Sequence, residues 1–203
     1  MNKYLLILTI ALITINSDLM SQVYSNNSLK VGLGVGMNEG LREMGMGTLV
    51  SFGYQKSILN DRLRINPNFM TGGFFPFGIT DTRDQYYRIT SLGVDGYFDV
   101  IKYKPFSLFV VAGGLVNYTR GLLGTGGWPE AGNNTSDYLF KLYYGGHLAW
   151  GIRVNQPKSR LAYEITPLNI CFGNDQFFMG FIKVAIDIKL KIKDLSQKYS
   201  LIP

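Results

Sequence analysis

The sequence predicts an all-β protein, an eight-stranded antiparallel up-and-down transmembrane β-barrel. Three observations predict it. Apolar residues recur with period two along most of the 203-residue chain. Aromatic residues and glycines are abundant, with 13 Tyr, 13 Phe and 24 Gly, while only 17% of residues are charged. An apolar N-terminal run has the layout of an export signal, and no later stretch is long and apolar enough for a membrane helix. A chain that enters a membrane without such a helix must cross it as a closed barrel.

The N-terminus opens with Asn2-Lys3, continues through an apolar run over residues 4–15, and turns more polar before Ser21. Cleavage after Ser21 is expected, which divides the chain into a signal peptide (1–21), a barrel domain (22–193) and a short periplasmic tail (194–203). No cysteine follows the apolar run, so a bacterial lipoprotein anchor is not supported.

Each strand follows from alternation, because successive side chains of a strand point to opposite faces. Leu29, Val31, Leu33, Val35 and Met37 alternate with Lys30, Gly32, Gly34 and Gly36. Met46, Thr48, Val50, Phe52 and Tyr54 alternate with Gly47, Leu49, Ser51, Gly53 and Gln55. Leu63, Ile65 and Phe69 alternate with Arg64, Asn66 and Asn68. Leu92, Val94, Phe98 and Val100 alternate with Ser91, Gly93, Asp95, Tyr97 and Asp99. Residues 107–119 are apolar on both faces and leave the register open. In the sixth strand Tyr138, Phe140, Leu142, Tyr144, Leu148, Trp150, Ile152 and Val154 alternate with Lys141, Gly145, His147, Ala149 and Arg153. Leu161, Tyr163 and Ile165 alternate with Arg160, Ala162, Glu164 and Thr166. The last strand, over 181–192, sets Ile182, Val184, Ile186, Ile188 and Leu190 against Phe181, Lys183, Ala185, Asp187, Lys189 and Lys191.

The connections are unequal. Asn60-Asp61, Lys104-Pro105 and Asn155-Gln156-Pro157 carry compact turn chemistry. The third connection, from Gly72 to Asp84, and the fifth, from Gly121 to Asp137, are long. Short turns at one end and longer loops at the other match a membrane barrel. Tyr86, Tyr87, Tyr118, Tyr138 and Phe177 are expected at the outer interface, and Tyr54, Tyr103, Phe106 and Trp150 at the periplasmic one, as two aromatic girdles.

With the export signal, the Gly-alternating first strand 31–36 and the strand count, the chain resembles the small eight-stranded outer-membrane barrels of the OmpA/OmpX type. It looks closest to the Bacteroidetes-like outer-membrane β-barrel family. The resemblance implies a bacterial outer-membrane location and outer-membrane lipid as the first partner. Such barrels usually end on an aromatic residue, whereas this chain continues through residues 194–203 as the short tail.

The motifs point away from small-molecule chemistry. The glycines of 32–36 lack G-x-G-x-x-G spacing and precede no helix pattern, so they read as the lining of a narrow lumen. Gly124-Thr125-Gly126-Gly127 is not followed by Lys-Ser/Thr, so it reads as a loop. One cysteine and one histidine, Cys171 and His147, exclude an intrachain disulfide, a cysteine-based zinc site and a multi-histidine metal site. No cofactor is expected. The formal net charge of +6 has no dense basic cluster behind it, so nucleic-acid binding is not expected.

The inward set is predicted to contain Lys30, Arg64, Asp95, Asp99, Lys141, His147, Arg153, Glu164, Lys183, Asp187, Lys189 and Lys191. Buried charges need partners, so this set is expected to form a polar, salt-bridged network filling the lumen. Asp95, Asp99 and Glu164 are the expected partners of the lysines. Phe74, Phe75, Phe77 and Trp128 are expected on outer loops as contacts for a protein partner. The predicted role is structural or partner-binding and non-enzymatic, in a monomer. Three alternatives remain open at this stage. A soluble secreted or periplasmic barrel would turn Ile182, Val184 and Ile186 inward around an apolar ligand. A lipid A-modifying enzyme would need His147 to activate a serine. A narrow pore would be biased toward anions by its lysines and arginines.

Overall fold

Alternation along the chain becomes eight strands in the computed structural model, which describes residues 27–59, 62–76, 86–124, 136–155 and 159–190. They are β1 (Asn27–Glu39), β2 (Met44–Ile58), β3 (Leu63–Pro76), β4 (Tyr86–Tyr103), β5 (Phe106–Gly124), β6 (Ser136–Asn155), β7 (Leu161–Gly173) and β8 (Phe178–Lys189). Each pairs antiparallel with its chain neighbours, and β1 closes on β8, giving a barrel in the order β1-β2-β3-β4-β5-β6-β7-β8. Closure satisfies the backbone ladder on both sides of every strand and removes the exposed edges an open sheet would keep. The connections at one end, 40–43, 77–85, 125–135 and 174–177, form the loop end. The connections 59–62, 104–105 and 156–160 form the turn end.

The strands run further than the sequence pattern alone marks. β3 extends through Gly72 and Gly73 to Pro76, and β7 extends through Cys171 to Gly173. Phe74 and Phe75 are therefore strand residues, not loop residues. Phe74 points inward, fully buried and stacked on Tyr87 with ring centroids 5.6 Å apart. Phe75 points outward, 64% exposed, against Tyr86. Tyr87 and Phe177 likewise face the interior, so neither belongs to an outer aromatic row. Tyr86, Tyr118, Tyr138, Tyr54, Tyr103, Phe106 and Trp150 do face outward. In β5 the open register resolves with Ser107, Phe109, Val111, Leu115, Asn117 and Thr119 inside and Val110, Val116 and Tyr118 outside. The expected signal peptide, the tail beyond Lys193, Lys191, Phe77 and Trp128 lie outside the described residues.

Two irregularities in the ladder have local causes. β7 is bulged between Thr166 and Asn169, across Pro167, which has no N–H to give to the ladder. The β7–β8 hairpin turns through Asp175 and Gln176, both at positive φ (51° and 61°), the pair of left-handed residues that suits the twist of a two-residue hairpin. On β1 the inward glycines exist because the interior is crowded. A Cβ at Gly34 would lie 2.9 Å from both Leu49 Cδ1 and the Ile182 carbonyl oxygen, and one at Gly36 would collide with Phe181.

Gly34→Val should therefore destabilise the barrel by about 1–3 kcal/mol, the usual cost of overpacking. Gly114→Ala, where the nearest heavy atom to the new Cβ is 3.8 Å away, should be tolerated. Urea unfolding of the two variants, followed by the heat-dependent mobility shift in SDS, measures the contrast.

Candidate functional site

The barrel interior is built in three layers. Nearest the turn end, the inward positions of seven strands carry charges or amides. Arg64 on β3 reaches across the lumen to Glu164 on β7, with Nη1 2.7 Å from Oε1, while its Nη2 lies 2.6 Å from Asp99 Oδ1. Lys30 places Nζ 2.7 Å from Glu164 Oε2. Arg153 sets Nε 3.4 Å from Glu164 Oε1 and Nη2 2.6 Å from Asp187 Oδ2. Gln55 Nε2 donates to Asp187 Oδ2 at 2.9 Å. Three cations, Lys30, Arg64 and Arg153, thus meet three carboxylates, Asp99, Glu164 and Asp187, and the layer is neutral. Tyr97 lies under the cations, its ring centroid 3.9 Å from Lys30 Nζ and 5.2 Å from the Arg64 guanidinium carbon.

The middle layer is polar but looser. His147 Nδ1 lies 2.8 Å from Asp95 Oδ1, and Asn68 Nδ2 donates to Asp95 Oδ2 at 2.9 Å. Ser91 donates to Asn117, which donates to Thr119. A cavity of about 20 Å³ sits here, lined by Ser51, Asn66, Asp95, His147 and Lys183 among others. That is room for about one water.

Toward the loop end the lumen becomes apolar. Leu49, Phe74, Tyr87, Ile89, Tyr143, Phe177 and Met179 are buried together, with Tyr143 and Phe177 stacked at 4.9 Å. The tyrosine hydroxyls find partners at the rim. Tyr143 donates to the buried Glu43 carboxylate at 2.7 Å and accepts from the Leu41 N–H, while Tyr87 donates to the Asn38 carbonyl. Through the two bonds of Tyr143 the 40–43 connection is held at the barrel mouth.

The predicted inward residues all face inward where they are described, but their partnering differs from expectation. Arg153, Glu164, Asp187 and Asp99 enter the charged layer, and Asp95 and His147 form the middle pair. Lys141 sits at the mouth, partly exposed, and pairs with Asp175 at 2.8 Å, because its strand carries it beyond the enclosed section. Lys189 donates to the Ser159 carbonyl at the turn end, at 2.9 Å. Lys183 is 7% exposed and makes no contact with Asp95, Asp99 or Glu164 within ion-pair distance. The carboxylates are already engaged by arginines, by Lys30 and by His147, whose shapes and positions reach them better. Tyr97, Gln55, Glu43 and Tyr143 are among the interior residues that patterning did not single out. The inward parity of Tyr97 and Gln55 was visible, but Glu43 lies in a connection, where parity says nothing.

His147 has an oriented imidazole, but its Nε2 has no hydrogen-bond partner among the described residues. Ser51 and Ser91 line the same cavity without bonding to it. Among the described residues, His147 therefore forms no base–nucleophile pair with either serine. The outer wall is the reverse of the lumen. Ile182, Val184 and Ile186 are 57%, 52% and 40% exposed, as are their apolar counterparts on the other seven strands. This contradicts a soluble barrel with that face turned toward an internal ligand.

A wall that is apolar outside and charged inside, closed by eight antiparallel strands, decides the fold. It is that of the small outer-membrane β-barrels. The chain is similar to Neisserial surface protein A, with a TM-score of 0.61 at 10% identity over 82% of this chain and 98% of that one. It is also similar to Ail, the attachment invasion locus protein of Yersinia pestis, with a TM-score of 0.54 at 11% identity over 81% of this chain and 98% of that one. No protein-family model matches the sequence, and no curated protein is significantly similar to it.

Glu164→Ala should cost about 3–5 kcal/mol of unfolding free energy, since it leaves buried Lys30 without its carboxylate and takes one partner each from Arg64 and Arg153. Arg42→Ala, which breaks only the exposed Arg42–Asp137 pair, should cost about 0–1 kcal/mol. Lys183→Met should leave stability unchanged or raise it. Equilibrium unfolding of the three variants in one lipid or detergent system checks the ranking.

Proposed function

We propose that this chain is a bacterial outer-membrane protein with a structural or partner-binding role, non-enzymatic, whose lumen is closed by its own side chains. The observation that carries the reading is the inversion of polarity between wall and lumen on all eight strands. An apolar exterior of this extent is unstable in water and is satisfied by lipid, with girdle tyrosines such as Tyr86, Tyr118 and Tyr103 at the interfaces. The strands, 12 to 20 residues long, exceed the roughly 9–11 residues a tilted strand needs to span a bilayer, leaving several of them to project beyond it.

The interior supports a closed barrel over a pore. The Arg64–Glu164 tie crosses the lumen, the loop-end layer is packed aromatic side chains, and the cavity between them is about 20 Å³. That volume is far below the roughly 300–1,000 Å³ of a small-molecule site, which also argues against an apolar ligand held inside. A partner would then be met at the loop end, beyond the girdle level marked by the exposed Phe75–Tyr86 pair.

The protein should stay with the outer-membrane fraction through high-salt and carbonate washes and should show heat-dependent mobility in SDS. Recovery in the soluble periplasm would contradict the reading. In planar bilayers the purified protein should give no steady conductance; stable anion-selective steps would replace the closed barrel with a channel.

A further inference from the structure

Four charged residues stand at outward-facing positions within the described strands. Glu39 is the last residue of β1 and Lys56 lies near the turn end of β2, both at strand ends where water is close. The other two are Arg88 on β4 and Arg120 on β5, and these face each other directly in the ladder. Both are exposed, and neither has a hydrogen-bond or ion-pair partner among the described residues.

Among the described residues, the ladder neighbours of the two guanidiniums carry no negative charge. Across the next ladders Arg88 faces Gly73 and Arg120 faces Phe140. Along their own strands the outward neighbours are Tyr86, Thr90, Tyr118 and Leu122. Like charges placed directly opposite destabilise a strand pair, the two side chains arising only about 4.5–5.5 Å apart. Elsewhere the outer wall follows the apolar rule, so this pair is a local violation that an external anion would offset. Its height is informative. Arg88 is two residues from the loop-end terminus of β4, beside the exposed Tyr86, Tyr118, Tyr138 and Phe140. Girdle aromatics mark the level of lipid headgroups, where phosphates reside.

We propose that Arg88 and Arg120 together bind the phosphomonoester of an outer-leaflet lipid, the group that lipid A carries. The inference rests on the membrane reading above. Two planar guanidiniums side by side supply the forked donors that phosphate oxygens accept bidentately. A phosphomonoester carries close to two negative charges at neutral pH, matching the pair, whereas a phosphodiester carries one.

The full protein is reconstituted in phosphatidylcholine vesicles, in the same vesicles doped with diphosphoryl lipid A, and in vesicles doped with phosphatidylglycerol to equal charge. Thermal unfolding is followed by the gel-mobility shift. Lipid A should raise the unfolding temperature above both other compositions. Arg88→Gln/Arg120→Gln should abolish that rise, and Lys56→Gln should keep it. An equal rise with phosphatidylglycerol, or with inorganic phosphate added to phosphatidylcholine vesicles, would overturn the assignment, as would a rise that survives in the double variant. If the double variant does not fold, Arg88→Lys/Arg120→Lys replaces it; that pair keeps the charge without the forks and should lose most of the rise, while a full rise overturns the clamp. Failure of the wild-type protein to insert into phosphatidylcholine removes the membrane reading and this one with it, whereas insertion without a lipid A effect removes this one alone.

Discussion

Glu164 is the residue on which the interior of this barrel depends. Closing eight strands leaves a lumen just wide enough for side chains, so an inward charge has no bulk water to retreat into. It must meet its opposite there. Glu164 meets three, Lys30, Arg64 and Arg153, and the remaining valences of the arginines go to Asp99 and Asp187. The result is a neutral layer that links β1, β3, β4, β6, β7 and β8 from inside, independent of the backbone ladder. Such a layer is weak evidence for stability against an apolar core, because desolvating the ions is costly. Its value lies in specificity. A one-residue slip of any of these strands would turn its charge toward the outside and leave the partners stranded.

The rest of the molecule follows from that placement. With the charges consumed at the turn end, the loop end can be filled by aromatic and aliphatic side chains. The hydroxyl of Tyr143 then fastens the 40–43 connection at the mouth, and that of Tyr87 bonds the end of β1 at Asn38. Outside, every strand presents apolar residues, and the exceptions sit at strand ends or in the facing pair Arg88 and Arg120. The chain carries a formal net charge of +6, yet its charged inner layer is balanced, so the surplus lies outside that layer, part of it on the inward-facing Lys183 and Lys189.

Much of the fold was legible because a strand's period of two is strict. Which residues of β1, β4 and β8 face inward follows from alternation alone, and Lys30, Asp95, Asp99, Lys183 and Asp187 are where parity puts them. Strand ends were less legible. Gly72, Gly73 and Pro76 have the composition of a loop, yet the ladder continues through them because Phe74 has an interior place to fill beside Tyr87. Partnering was the least legible part. Lys30 stands opposite Asp187 across β1 and β8, yet it bonds Glu164 on β7, while Asp187 goes to Arg153. Those choices depend on how far each side chain reaches across the lumen, which follows from register and closure, not from local pattern. The β5 register was open for a related reason. Val110 and Val111 are equally apolar, and only the pairing with β4 and β6 decides that Val111 faces in.

The central claim is that the apolar wall meets lipid and the charged face meets the lumen. Trp150 is an outward residue of β6, 43% exposed, and the chain holds only one other tryptophan, Trp128. In a Trp128→Phe variant reconstituted into vesicles, Trp150 fluorescence should be quenched by lipids brominated on their acyl chains and protected from aqueous iodide. Quenching by iodide with no response to brominated chains would contradict the account.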